Sequence, residues 1–218
     1  MIGYAMCGSF CTHSKSLRAL GSIVGEGWDV LPVMSECVWD TDTRFGTSEE
    51  LKKRVTELAG CEIIHTVKEA ERLGPEIALE YMIIAPCTGN TLAKLACGIT
   101  DTAVCMAAKA HMRSERPLLI ALASNDAISA NLGNIGRLLM RKNVFFVPMR
   151  RSKSRFRLSR IFRLSEDRLR QCARESSFAR SSIDRQEFLV YNTFTARRTH
   201  VFRSAPSEAS RGLPQPVL

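Results

Sequence analysis

No apolar run in this chain approaches membrane-spanning length. The longest, at 81–87 and 117–123, cover about seven residues, against the roughly 20 a spanning helix needs. The opening MIGYAMCGSF has no basic stretch ahead of its apolar one, so no secretory signal is expected. Eight cysteines stand at 7, 11, 37, 61, 87, 97, 105 and 172 without a Cys-x-x-Cys pair, and the four histidines (His13, His65, His111, His200) are scattered. A zinc site brings its ligands in tight pairs, so no metal is expected. The cysteines follow or lie in apolar runs, where a free thiol acts as a small hydrophobe, and a reducing, cytoplasmic compartment is expected. Neither a G-x-G-x-x-G fingerprint nor a Walker loop occurs.

What is present is globular. The 218 residues are 45% hydrophobic and 24% charged, enough for one ordinary domain or one domain with an appendage. The net charge of +9 is unevenly distributed: residues 1–149 hold 15 Lys+Arg against 16 Asp+Glu, or −1, and residues 150–218 hold 16 against 6, or +10. The basic excess therefore says nothing about the first two thirds.

Residues 1–149 alternate short apolar runs with amphipathic stretches. Strands are expected at 1–6, 29–34, 81–85, 118–123 and 144–147, with a further short one at 61–64. Leu17, Leu20 and Val24 mark a helix face. Thr47-Ser-Glu-Glu50 is a capping box ahead of Leu51, Val55 and Leu58, and Gly60 can end that helix. Leu92, Leu95 and Ala96 mark another helix, Asp101 can cap a third running to about Met112, and Ile135, Leu138 and Leu139 mark a fourth. Runs such as 81–85 suit strands buried on both faces. The pattern predicts an α/β fold, a Rossmann-like doubly wound parallel sheet with helices on both faces.

Residues 150–218 contain 15 Arg, one Lys and 11 Ser, with weak helical spacing and a Pro/Ser/Gly-rich end. Arg and Ser claim many codons, so a GC-rich gene read out of frame yields such text. The segment reads first as a frame-shifted, poorly ordered tail. A solvated tail without function and a polyanion-binding segment are the two other readings.

Ligands of open parallel sheets bind at the carboxyl ends of strands. Here those ends carry Gly8 and Ser9, then Ser35, then Thr88, Gly89, Asn90 and Thr91, then Ser124 and Asn125. A glycine turn opening a helix can hold a phosphate on its amides. Each residue alone is explained as a helix cap; four sheet ends of small hydroxyl and amide groups together describe a pocket for a neutral planar ring and one phosphate.

The stretch APCTGNTLAKLACGITDTAV (85–104), with IALASN (120–125), NIGRLLMRKNVFFVP (134–148) and the GSF turn after the first strand, resembles the flavoprotein family that includes the FMN-dependent cysteine decarboxylases. Ser124 replaces a methionine usual there, and Asn143 a glycine. Within that family, TDTRFG (41–46), EAERLGPEIALEYMIIAPCTGNT (69–91), TDTAVCMAAKAHMR (100–113) and SNDAISAN (124–131) are similar to the branch formed by the B subunits of dipicolinate synthases. Nothing in 150–218 matches, where the family continues with a polar loop and a helix.

The resemblance implies an oxidoreductase subunit acting with an A subunit to oxidise a dihydrodipicolinate-type precursor to dipicolinate during sporulation, in the mother-cell cytoplasm. It implies FMN on this chain, NAD(P) rather on the A subunit, and a homo-oligomer; neither membrane nor nucleic acid is an expected partner. Gly8 and Ser9 would hold the FMN phosphate, and Ser35 and Thr88 would line the ribityl chain. Gly89 and Thr91 belong to the same cofactor-binding turn, and Ser124 and Asn125 would close the pocket. Asn90 matches the family's active-site asparagine, and Arg44 would grip a substrate carboxylate in a bidentate fork, unless it merely pairs with Asp40 or Asp42. His65 lies near the decarboxylases' catalytic histidine in a different surrounding sequence. The decarboxylases' later cysteine motif is not recognisable, which argues against decarboxylation. The alternatives are a noncatalytic partner that stabilises the A subunit, an FMN-dependent decarboxylase-like flavoprotein, and an anion-binding tail protein.

Overall fold

Five short apolar runs form the strands β1 (Ile2–Met6), β2 (Val30–Met34), β3 (Tyr81–Cys87), β4 (Leu118–Leu122) and β5 (Val144–Phe146). They make one sheet in the order β2-β1-β3-β4-β5, every pairing parallel. Ile2 stands opposite Val30 on one side and Tyr81 on the other. The computed structural model describes residues 1–148; the basic segment 150–218, with the frame-shift, solvated-tail and polyanion readings attached to it, lies outside the described residues.

Successive strand residues point to opposite faces, and this splits the interior in two. Ala5, Val33, Met82, Ile84 and Ile120 face one core; Tyr4, Met34, Ile83, Ala85 and Ala121 face the other. On the second face lie α1 (His13–Gly25), through Leu17, Leu20 and Ile23, and α3 (Ser48–Ala59), through Val55. On the first lie α4 (Val67–Ala70), α5 (Gly89–Cys97), α6 (Ala103–Met112) and α7 (Leu132–Leu139). A short helix, α2 (Glu36–Asp40), follows β2. Helices on both faces leave no strand face to water, so the strands read as continuous apolar text.

The capping box forms as expected: Thr47 Oγ1 accepts the Glu50 amide and Glu50 Oε2 accepts the Thr47 amide, each at 3.2 Å. Gly60, at φ +70°, ends α3 in the left-handed conformation that a side chain would resist. Two local expectations change. Residues 61–64 form only a bridge, Val33 with Ile64, because a second capping box, Thr66 with Glu69, turns the chain into α4 at once. The cap of α6 is Thr102, whose hydroxyl accepts the Cys105 amide; Asp101 instead pairs with Lys94 at 2.8 Å.

Candidate functional site

The strand order reverses between β1 and β3: the chain leaves β1 towards β2 and leaves β3 towards β4. Loops therefore part at the carboxyl ends of these two strands, and a crevice opens there. Beneath it the Tyr4 hydroxyl donates to the Ser16 carbonyl at 2.9 Å, and the Ser16 hydroxyl donates to the Ala85 carbonyl, tying α1 to β1 and β3.

After β1, the Cys7 amide still reaches the Pro86 carbonyl at 3.1 Å, but the Ser9 amide turns back to the Cys7 carbonyl at 2.8 Å. The Ser9 carbonyl accepts both the amide and the hydroxyl of Thr12, at 2.9 and 2.7 Å, which starts the 3-10 turn Phe10–Thr12 and then α1. Among the described residues, the amides of Gly8 and Phe10 donate to no backbone oxygen. A Cβ on Gly8 would lie 3.2 Å from Cys37 Sγ, so the turn is tight on its inner side.

After β3, Thr88 caps α5: its hydroxyl accepts the Thr91 amide at 3.1 Å and donates to Thr91 Oγ1 at 3.0 Å. Burial raises the Cys7 thiol's pKa to about 12, against the opposing bonds from Thr91 and Thr88. It stays protonated and is no thiolate nucleophile. Gly89 sits where a Cβ would come within 2.8 Å of Asn131 Nδ2 and 3.2 Å of Ser124 Oγ. After β4, the Ala123 amide donates to the Cys87 carbonyl at 2.7 Å, and Ser124 Oγ accepts the Asp126 amide at 3.2 Å and Asn131 Nδ2 at 3.4 Å. Asn90 and Asn125 are exposed. After β2, the Ser35 amide donates to the Met6 carbonyl at 3.1 Å. Ser35 Oγ is buried without a partner among the described residues, a costly condition for a hydroxyl.

Thus Gly8, Ser9, Ser35, Thr88, Gly89, Asn90, Thr91, Ser124 and Asn125 all occupy the carboxyl edge of one parallel sheet. Arg44 stands apart, exposed on the turn between α2 and α3. His65 lies beside the edge strand β2, stacked on Trp39 with ring centroids 3.7 Å apart. Two residues were not foreseen. Buried His13 places Nε2 2.9 Å from the Cys7 carbonyl, and buried Asn131 underlies Gly89. A lone histidine in a polar stretch gives no signal; Asn131 ends a string that the resemblance already marked.

The nine edge residues suit a flavin nucleotide. Free amides at Gly8 and Phe10, ahead of α1, match a phosphate; the unpartnered Ser35 hydroxyl matches a polyol; no charged side chain stands among the nine. Among the described residues no group of His, Cys, Asp and Glu could hold a metal ion. A cleft of about 380 Å³, lined by Glu71, Pro75, Met106, Lys109 and Arg113 among others, lies instead along the end of α6 that leads into β4, at the opposite edge of the sheet.

Sheet order defines a class, the doubly wound parallel α/β domains of flavodoxin-like strand order. The Flavoprotein family matches residues 55–151. The chain is 43% identical over 147 residues to the dipicolinate synthase B subunit of Bacillus subtilis strain 168, covering 67% of this chain and 74% of that protein. The crystal structure of the dipicolinate synthase B subunit from Bacillus halodurans C superposes with a TM-score of 0.62 at 36% identity, over 68% of this chain and 76% of that one. The FMN-dependent cysteine decarboxylase SpaF superposes with a TM-score of 0.59 at 20% identity, over 79% and 96%, a likeness of fold. The chain belongs to the dipicolinate synthase B-subunit family of flavoproteins.

Proposed function

We propose that this chain is the flavin-fold subunit of a two-subunit dipicolinate synthase. With an A subunit it would oxidise a dihydrodipicolinate-type ring to dipicolinate in the cytoplasm of a sporulating cell. The observation that carries the reading is the convergence of four polar loops on the switch-point edge, with two free amides and an unpartnered hydroxyl. Gly8 and Ser9 would receive the FMN phosphate, and Ser35 and Thr88 the ribityl hydroxyls. Thr91 holds Thr88 in place, and Gly89 lets the backbone approach the ligand. Ser124 and Asn125 would close the pocket.

Bound FMN would supply a two-electron acceptor as the ring aromatises. This chain's own part is binding and orientation: Asn90 offers an amide to a substrate carboxylate or to the flavin edge, and Arg44 offers a guanidinium fork to a carboxylate. A second copy of the chain or the A subunit would complete the site. NAD(P), where used, belongs on the A subunit.

The test is reconstitution. Purified chain is expected to bind FMN with flavin absorbance, and the A subunit alone to form dipicolinate well below the rate of the mixture. A colourless chain that gains nothing from added FMN removes the cofactor assignment. An A subunit working at full rate alone reduces this chain to a stabilising partner.

A further inference from the structure

Among the described residues His13 is the one buried histidine at the candidate site, and no role in flavin binding is assigned to it so far. It is 7% exposed, and its ring packs on Phe10 with centroids 5.2 Å apart. Its Nε2 lies 2.9 Å from the Cys7 carbonyl, which also accepts the Ser9 amide at 2.8 Å. A carbonyl oxygen can only accept, so Nε2 carries the proton. Burial lowers the ring's pKa and keeps it neutral, so Nδ1 is bare.

The consequence lies one atom further on. The Cys7–Gly8 peptide is trans and planar, so its C=O and N–H point in opposite directions. Holding the carbonyl against His13 turns the Gly8 N–H away from it, and that amide donates to no backbone oxygen among the described residues. The Ser9 amide is already spent on the same carbonyl, so Gly8 is the first free donor of the turn.

We propose that His13 is a positioning residue for anion binding: by holding the Cys7 carbonyl it aims the Gly8 amide at the phosphate of a flavin nucleotide. The inference rests on the FMN reading and predicts where that affinity is set. A positioning role of this kind acts on the phosphate arm alone, whereas a merely structural role would disturb the whole pocket.

The test compares FMN with riboflavin, which lacks the phosphate, in fluorescence titrations of the full-length chain. Three forms are used: wild type, His13→Phe, which keeps a ring against Phe10 and loses the donor, and His13→Gln, whose amide nitrogen sits about where Nε2 was. His13→Phe is expected to weaken FMN about 5- to 10-fold, the range of one hydrogen bond, with riboflavin changed less than about twofold. His13→Gln is expected to recover most of the FMN affinity. Parallel loss of both flavins, an unchanged FMN affinity in His13→Phe, or no recovery in His13→Gln overturns the proposal. Should His13→Phe fail to fold by circular dichroism, His13→Asn, with its shorter reach, takes its place under the same criteria. A wild-type chain that binds neither flavin defeats the FMN reading itself, and this one with it, before any variant is compared.

Discussion

Arg44 projects into solvent from a turn whose backbone is tightly bonded. Thr43 and Gly46 exchange amide–carbonyl bonds of 3.1 Å, the Phe45 amide donates to Thr43 Oγ1 at 3.1 Å, and the Ser48 amide donates to Asp42 Oδ1 at 2.7 Å. The guanidinium lies 4.8 Å over the Phe45 ring, and no ion pair joins it to Asp40 or Asp42 among the described residues. The root of the turn borders the Gly8 turn: Thr41 Oγ1 is 4.0 Å from Cys37 Sγ, which would lie 3.2 Å from a Cβ on Gly8, and three residues of chain reach about 10 Å at most. A rigid mount and an uncommitted fork are what carboxylate capture requires. Arg44→Lys keeps the charge and loses the fork, so the apparent affinity for the dihydropyridine diacid is expected to fall about tenfold in the coupled assay. An unchanged value would remove Arg44 from the site. The place of small polar residues such as Ser9 or Ser124 at the strand ends was legible because each follows an apolar run. His13 and Asn131 were not, because their roles come from tertiary contacts, with the Cys7 carbonyl and with Gly89, that no local pattern encodes.

At the level of elements, legibility followed length. The helix α3 carried a capping box, an apolar stripe and a terminating glycine, and all three signals agreed. The four-residue α4 and five-residue α2 are too short for any 3.6-residue period to register. The start of α4 is nevertheless strongly bonded. Glu69 Oε2 accepts the amides of His65 and Thr66, each at 3.1 Å, and lies 3.6 Å from His65 Nδ1. These bonds, the His65 amide first, hold the Glu69 carboxyl below its usual value. A pKa depressed on folding gives stability that is complete above the ordinary carboxylate value of about 4.3 and is lost as pH falls through the folded value. Urea midpoints of the wild type are therefore expected to drop more steeply between about pH 5 and pH 3 than those of Glu69→Gln, which cannot titrate there. Equal slopes would mean that the capping carboxylate does not link α4 to pH.

At the scale of the molecule, alternation of strands and helices revealed the layers but not the order of the strands. That order follows crossover geometry: α1 carries the chain from β1 to β2 over one face and α5 with α6 from β3 to β4 over the other, so the sheet grows in opposite directions from the adjacent β1 and β3. The switch point, and with it the meeting of the four loops, is thus a property of the whole sheet. Every residue assigned to the site lies between Gly8 and Asn125, inside the part of the chain whose charge is −1, while the +10 of residues 150–218 lies outside it. The two functions this charge division allows should separate on truncation. A chain ending at Met149 is expected to keep the FMN affinity of the full chain, since the proposed phosphate contacts are amides and the proposed ring contacts are uncharged groups. Should the full chain bind heparin or duplex DNA with an affinity that falls steeply with salt, and the shortened chain bind neither, the polyanion reading of 150–218 would gain over the frame-shift reading; no such binding removes it. If truncation abolished FMN binding in a chain still folded by circular dichroism, the anion that the flavin presents would be met by the arginines of the basic segment, and the Gly8 turn would not be its receptor.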